Sequence, residues 1–122
     1  MKQNILKEKS LSFAIRIVNL YKFLCDDKKE FVLSKQILRC GTSVGAMVRE
    51  AEFSESDLDF IHKLAIAQKE INETIYWLEL LFKTNYITDK QFESISSDAI
   101  ELIKIITSSI KTVKLKQRNI NN

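Results

Sequence analysis

A reactive site in this chain would have to be built around His62, the single histidine, with Cys25 and Cys40 as the only thiols. Glu50, Glu70 and Glu73 come nearest to a carboxylate cluster. A ferritin-like di-metal centre needs a Glu-x-x-His pair on each of two helices. Asp59 precedes His62 at that spacing, but one histidine cannot serve two helices. A zinc site fails for the same shortage of ligands. Ser–His–Asp and Cys–His sets would rest on His62 alone, which lies in no recognisable motif. The cysteines match neither a metal spacing nor CxxC. Two reduced thiols acting as small apolar side chains are expected, with a disulfide between them as the alternative. GTSVG at 41–45 is followed by no lysine and is not a phosphate loop. The chain is therefore expected to hold no catalytic set, metal or cofactor, and not to be an enzyme. His62 is placed at solvent or at an interface. Glu50, Glu70 and Glu73 are expected near subunit contacts, paired with Arg39 or with lysines, since a buried unpaired carboxylate neutralises itself.

Few, long helices must position these residues. The 122 residues are 45% apolar, enough for one domain with a real core, and contain two glycines and no proline. The spacing of apolar residues predicts helices over about 10–24, 34–52, 57–83 and 89–115, with a polar, basic tail over 116–122 that frays. Ser10 and Ser34 are candidate N-caps. Ser56 with Asp59, and Thr88 with Gln91, resemble capping boxes. Short connections make this an all-α, antiparallel up-down-up-down four-helix bundle. The third helix is apolar nearly all round. Phe60, Leu64, Ala67, Ile71, Ile75, Leu78 and Phe82 form one arc, Leu58, Ile61, Ala65, Tyr76 and Leu80 a second, and Ile66, Trp77 and Leu81 a third. One small core cannot cover three arcs, so a subunit interface is expected.

The second helix holds both glycines, in LRCGTSVGAMVREA at Leu38–Ala51. A glycine inside a helix costs about 1 kcal/mol relative to alanine. Gly41 and Gly45, one turn apart, would let another backbone approach closely. The alternative is a turn at GTSVG between two short helices. On the other face Arg39, Ser43, Ala46 and Glu50 form a stripe in which two charges flank two small residues. Such a stripe either touches another polypeptide or is solvated. Arg39, Ser43, Ala46, Glu50, Ile66, Glu73, Tyr76 and Trp77 are the candidate oligomer contacts.

Charge is uneven. The net +3 divides into +2 over residues 1–9, −4 over 10–101 and +5 over 102–122, where Lys104, Lys111, Lys114, Lys116 and Arg118 meet no acid. Such an end either contacts nucleic acid or another anionic surface, or keeps a tail soluble. No run approaches the about 20 apolar residues of a transmembrane helix. The start, MKQNILKEKS, is too polar for a secretory signal, so a cytoplasmic location is expected.

The sequence resembles the bacterial "four helix bundle protein" family, first noted as products of open reading frames within intervening sequences of large-subunit ribosomal RNA genes. The matching stretches are Leu33-Ser34-Lys35-Gln36-Ile37-Leu38-Arg39, Thr42-Ser43-Val44-Gly45-Ala46 and Glu50-Ala51. Asp59-Phe60, Ile66-Ala67, and Glu73 ahead of Trp77-Leu78 continue the match, which covers about Phe13 to Val113. One departure is Met47, where the family usually has asparagine. The resemblance implies a four-helix bundle assembled as a ring-like homopentamer, with no enzymatic activity. The accessory variability determinant proteins of diversity-generating retroelements are related. They associate with a reverse transcriptase and bind nucleic acid through basic surfaces. The function expected from residues and resemblance together is a homo-oligomeric scaffold associated with RNA or a ribonucleoprotein. A protein–protein adaptor is the alternative. No aromatic residue interleaves the cations of 111–118, so phosphate contact is expected and base stacking is not.

Overall fold

A computed structural model describes the backbone of residues 2–121 and the side chains of residues 4–119. Four helices, α1 (Lys2–Asp26), α2 (Leu33–Glu52), α3 (Asp57–Lys83) and α4 (Asp89–Asn121), make up the described fold. Cross-helix pairs give the topology. Lys7 reaches Glu52 and Ile17 faces Gly41, so α1 and α2 run antiparallel. Lys63 with Glu50 and Arg39 with Glu73 do the same for α2 and α3. Gln68 with Thr107, and Phe82 stacked on Phe92, orient α3 against α4. Arg16 with Asp98 closes α4 onto α1. Neighbours in sequence are neighbours in space, as in an up-down-up-down bundle. The α2–α3 seam is the most extensive and the α1–α4 seam the thinnest.

The core follows the helical period. Phe13, Ile17 and Leu24 from α1 meet Ile37 and Val44 from α2, Leu64, Ile71 and Leu78 from α3, and Leu102 and Ile106 from α4, all at most 1% exposed. Much of the apolar surplus of α3 is absorbed inside this one chain: Ile61, Ile75, Trp77 and Phe82 pack against the core from its edge. Leu58 and Tyr76 remain outside.

Three local expectations are corrected. The first helix begins at Lys2 rather than near Ser10, because Leu6 is buried and extends the apolar face two turns back from Phe13. Ser10 is therefore no cap; it lies in the helix interior and its hydroxyl donates to the Lys7 carbonyl at 3.1 Å. Ser34 is not the cap of α2 either. The helix begins at Leu33, and Val32 at the cap position offers no side-chain bond. Glu30 does the work instead, accepting from the backbone N–H of Ser34 at 2.7 Å and of Val32 at 3.2 Å, while the Ser34 hydroxyl donates to the Glu30 carbonyl at 2.8 Å. Finally, α4 runs to Asn121, past the expected 115. Lys-Leu-Lys-Gln-Arg contains good helix formers and no breaker, so a polar segment stays helical. Of the expected tail, Asn122 lies outside the described residues.

The other two caps form as their spacing implies. Ser56 accepts from the Asp59 N–H at 3.0 Å, although the Asp59 carboxylate returns to Glu55 rather than to Ser56. Thr88 and Gln91 make the full reciprocal box at 2.8 and 3.1 Å.

Candidate nucleic-acid interface

The GTSVG alternative is decided by α2, which runs unbroken through both glycines. A Cβ on Gly41 would lie 2.8 Å from two side-chain carbons of Ile17, and one on Gly45 would lie 3.3 Å from the Ser10 carbonyl oxygen. The missing side chains thus let α1 lie close on α2. Beside this crossing runs an open groove of about 380 Å³, with Leu11 and Ala14 on one wall, Thr42 and Ala46 on the other, and Lys7 and Arg49 at its rim. Sequence reasoning missed this face. Leu11 and Ile15 are 51% and 54% exposed and one turn apart, an apolar pair outside the main stripe of α1.

The candidate contacts on α2 and α3 divide into two groups. Arg39, Glu73 and Trp77 form one network: the guanidinium donates to the Glu73 carboxylate, and the Trp77 indole N–H donates to the same oxygen at 3.1 Å. Glu70 lies beside them, its Oε2 buried without a hydrogen bond and 3.6 Å from the Arg39 guanidinium. Glu50 is held apart from this group by Lys63 at 3.1 Å. Ala46 is exposed, and Ser43 and Ile66 are half-buried. The Ser43 hydroxyl donates back to the Arg39 carbonyl at 2.7 Å. Tyr76, 57% exposed, meets Trp77 edge to face. Met47 packs its side chain against the core.

Both cysteines are free. Burial pushes the Cys40 thiol up, against the lowering influence of the Thr74 hydroxyl 3.2 Å away, so it is a poor nucleophile. His62 is exposed, and among the described residues no group of three or more His, Cys, Asp or Glu could hold a metal ion.

The five cations of α4 are arranged differently. Lys104, Lys111 and Arg118 recur every seven residues and so share one stripe. Lys111, Lys114 and Arg118 line a groove of about 430 Å³ between α3 and α4, floored by Ile110 and Leu115. Its inner end is closed by Gln68, whose amide donates to the Thr107 hydroxyl at 2.9 Å. Lys104 borders the next groove along the same face, with Ile100, Glu93 and Glu101. Lys116 points to the other side of the helix. All five are exposed.

None of the five is paired with a carboxylate among the described residues, whereas Lys7, Lys9, Arg16, Arg39 and Lys63 each hold one. Glu101, the acid nearest Lys104 in sequence, is taken by Lys9 across the α1–α4 seam. The helix dipole favours Arg118 in the last turn. That influence fades within one turn and leaves Lys104, Lys111 and Lys114 unexplained.

Residues 2–108 match the 23S rRNA-intervening sequence protein family. The chain belongs to this family. A crystal structure of a protein of unknown function from the S23 ribosomal protein family of Bacteroides thetaiotaomicron is similar at 63% identity and a TM-score of 0.90. The similarity covers 91% of this chain and 99% of that one. No curated protein matches. The family match stops at residue 108, just before the row 111–118, so family membership alone says nothing of those cations. No described helix is long and apolar enough to cross a membrane.

Proposed function

We propose that this protein is a non-enzymatic, cytoplasmic scaffold that assembles from copies of itself and contacts RNA or a ribonucleoprotein through α4. The observation that carries this reading is the concentration of Lys104, Lys111, Lys114, Lys116 and Arg118 on the exposed C-terminal part of α4, where three of them line one groove and none holds a carboxylate among the described residues. Like charges one turn apart destabilise a helix by about 0.2–0.5 kcal/mol per pair. Lys111 with Lys114, and Lys114 with Arg118, are such pairs. An anionic partner reverses the sign of that term. Membership in a family named for a ribosomal RNA intervening sequence fits the same partner. The proposed assembly is the ring-like homopentamer that the resemblance implies, with Arg39, Glu73, Tyr76 and Trp77 near its contacts. A ring would present five copies of the row, and linked weak sites gain by avidity.

Light scattering followed by a salt-titrated RNA shift assay tests both halves. An oligomer that binds at low salt and releases steeply as salt rises is the expected result. A monomer at micromolar concentration removes the assembly. Absence of binding at low salt removes the RNA contact.

The exposed apolar residues Leu11, Ile15, Leu58 and Tyr76 favour a second reading, a protein–protein adaptor with no nucleic acid involved. Capture of one dominant protein partner that survives nuclease treatment would support it.

A further inference from the structure

The geometry points to the backbone of double-helical nucleic acid, rather than a single strand, as what the α4 row receives. This inference rests on the nucleic-acid role proposed above and narrows it. Lys104, Lys111 and Arg118 are fixed on one helix at intervals of about 10 Å and span about 21 Å, from a rise of 1.5 Å per residue. Lys114 broadens the row toward α3. The row is straight and is held by a helix packed along the bundle. A duplex likewise presents its phosphates at fixed positions on a stiff cylinder, so two preformed surfaces meet with little ordering cost.

A single strand would have to be straightened along the row, and this face offers little in return. Single-strand binders recover that cost by stacking bases on aromatic rings. The groove between α3 and α4 is lined by Gln68, Thr107, Ile110 and Leu115 beside the cations, with no ring among them. Nor is it equipped to read base edges. Gln68 and Thr107, its two neutral polar side chains, are bonded to each other. What remains is phosphate contact, which positions a duplex without reading its sequence.

Fluorescence anisotropy on the full chain tests this with three probes of one sequence: a 20-base-pair RNA duplex, the same DNA duplex, and the RNA single strand. Both duplexes, or the RNA duplex alone, should bind at least ten-fold more tightly than the single strand. The two duplex arms distinguish A-form geometry from double-helical phosphate in general. Four phosphate contacts per protomer give a slope of about −3.6 in log affinity against log salt, or about a 150-fold loss between 50 and 200 mM. Lys111→Glu and Arg118→Glu should each weaken duplex binding and flatten that slope. Lys35→Glu, exposed on α2, which has no contact with α4, should leave both unchanged while far-ultraviolet circular dichroism shows intact helix in all three. A single strand that binds as tightly as the duplexes overturns the assignment, as does a loss for Lys35→Glu equal to that for Lys111→Glu. If no probe binds at 50 mM salt, the nucleic-acid role itself falls.

Discussion

The α2–α3 seam and the outer face of α4 use charge in opposite ways. Along the seam two cations hold acids: Arg39 holds Glu73 and lies against Glu70, and Lys63 holds Glu50. These carboxylates are partly withdrawn from water, Glu70 to 17% and Glu73 to 33% side-chain exposure, so their partners offset a desolvation cost. On α4 Lys104, Lys111, Lys114 and Arg118 stand in water and hold no carboxylate among the described residues. Charge that is matched and half-buried holds a fold together. Charge that is exposed, unmatched and aligned contributes nothing to the fold and is available to a partner.

The largest effect should come from reversing the unmatched set. Lys111→Glu, Lys114→Glu and Arg118→Glu together should lower affinity for an RNA duplex at 50 mM salt by more than about 100-fold, since three phosphate contacts become repulsions. Stability should stay within about 0.5 kcal/mol of the parent in urea, as for exposed substitutions generally. A large loss of stability with unchanged binding would erase the contrast.

Arg39→Ala is the complementary change on the seam. It strands Glu73, and Glu70 whose Oε2 has no hydrogen bond, beside the Trp77 indole. A fully buried broken pair costs about 3–5 kcal/mol, and an exposed one at most about 1. Arg39 is itself 54% exposed, so a loss of about 1–2 kcal/mol in urea unfolding is expected, larger than that from the three α4 reversals together.

Much of the fold was legible in the sequence because it depends on the helical period. The stripe of α4 from Ile95 to Ile110, the reciprocal cap at Thr88 and Gln91, and the small-residue crossing at Gly41 and Gly45 follow from types and spacing alone. The starts of α1 and α2 did not. A search for serine caps chose Ser10 and Ser34, but Leu6 is buried by tertiary packing and Glu30 reaches forward from outside the usual cap position. The candidate site was half legible. The five cations of α4 could be counted, but which four form one row and that none is matched depend on helix phase beyond residue 115 and on Lys9 taking Glu101.

Glu30 extends the contrast to a charge matched by backbone rather than by a cation. Burial works against its charged form, but the N–H groups of Leu33, Ser34 and Val32 outweigh that and hold the carboxyl below its ordinary value of 4.5. A carboxylate whose folded pKa lies below its unfolded one stabilises the fold above the unfolded pKa. That contribution disappears as pH falls through the folded value. The parent should therefore lose stability as pH drops below 4.5, and Glu30→Gln should lack that part of the pH dependence. At neutral pH the substitution should cost about 1 kcal/mol, the size of a lost helix cap, read by thermal unfolding at pH 7 and pH 3.5.

The α1–α2 crossing is held by close approach rather than by charge, and its two glycines should respond unequally. Alanine in place of either gains about 1 kcal/mol of helix propensity. At Gly41 the new methyl would fall 2.8 Å from Ile17, a side chain with no exposure and no room to retreat. Overpacking of that kind costs about 1–3 kcal/mol, so Gly41→Ala should be net destabilising by about 1 kcal/mol. At Gly45 the methyl would stop 3.3 Å from the Ser10 carbonyl oxygen, which a shift of a few tenths of an ångström in α1 relieves. Gly45→Ala should then change the urea midpoint by less than about 0.5 kcal/mol equivalent, in either direction. Equal losses at both positions would mean that the helices approach as rigid bodies and that Ile17 is not what limits them.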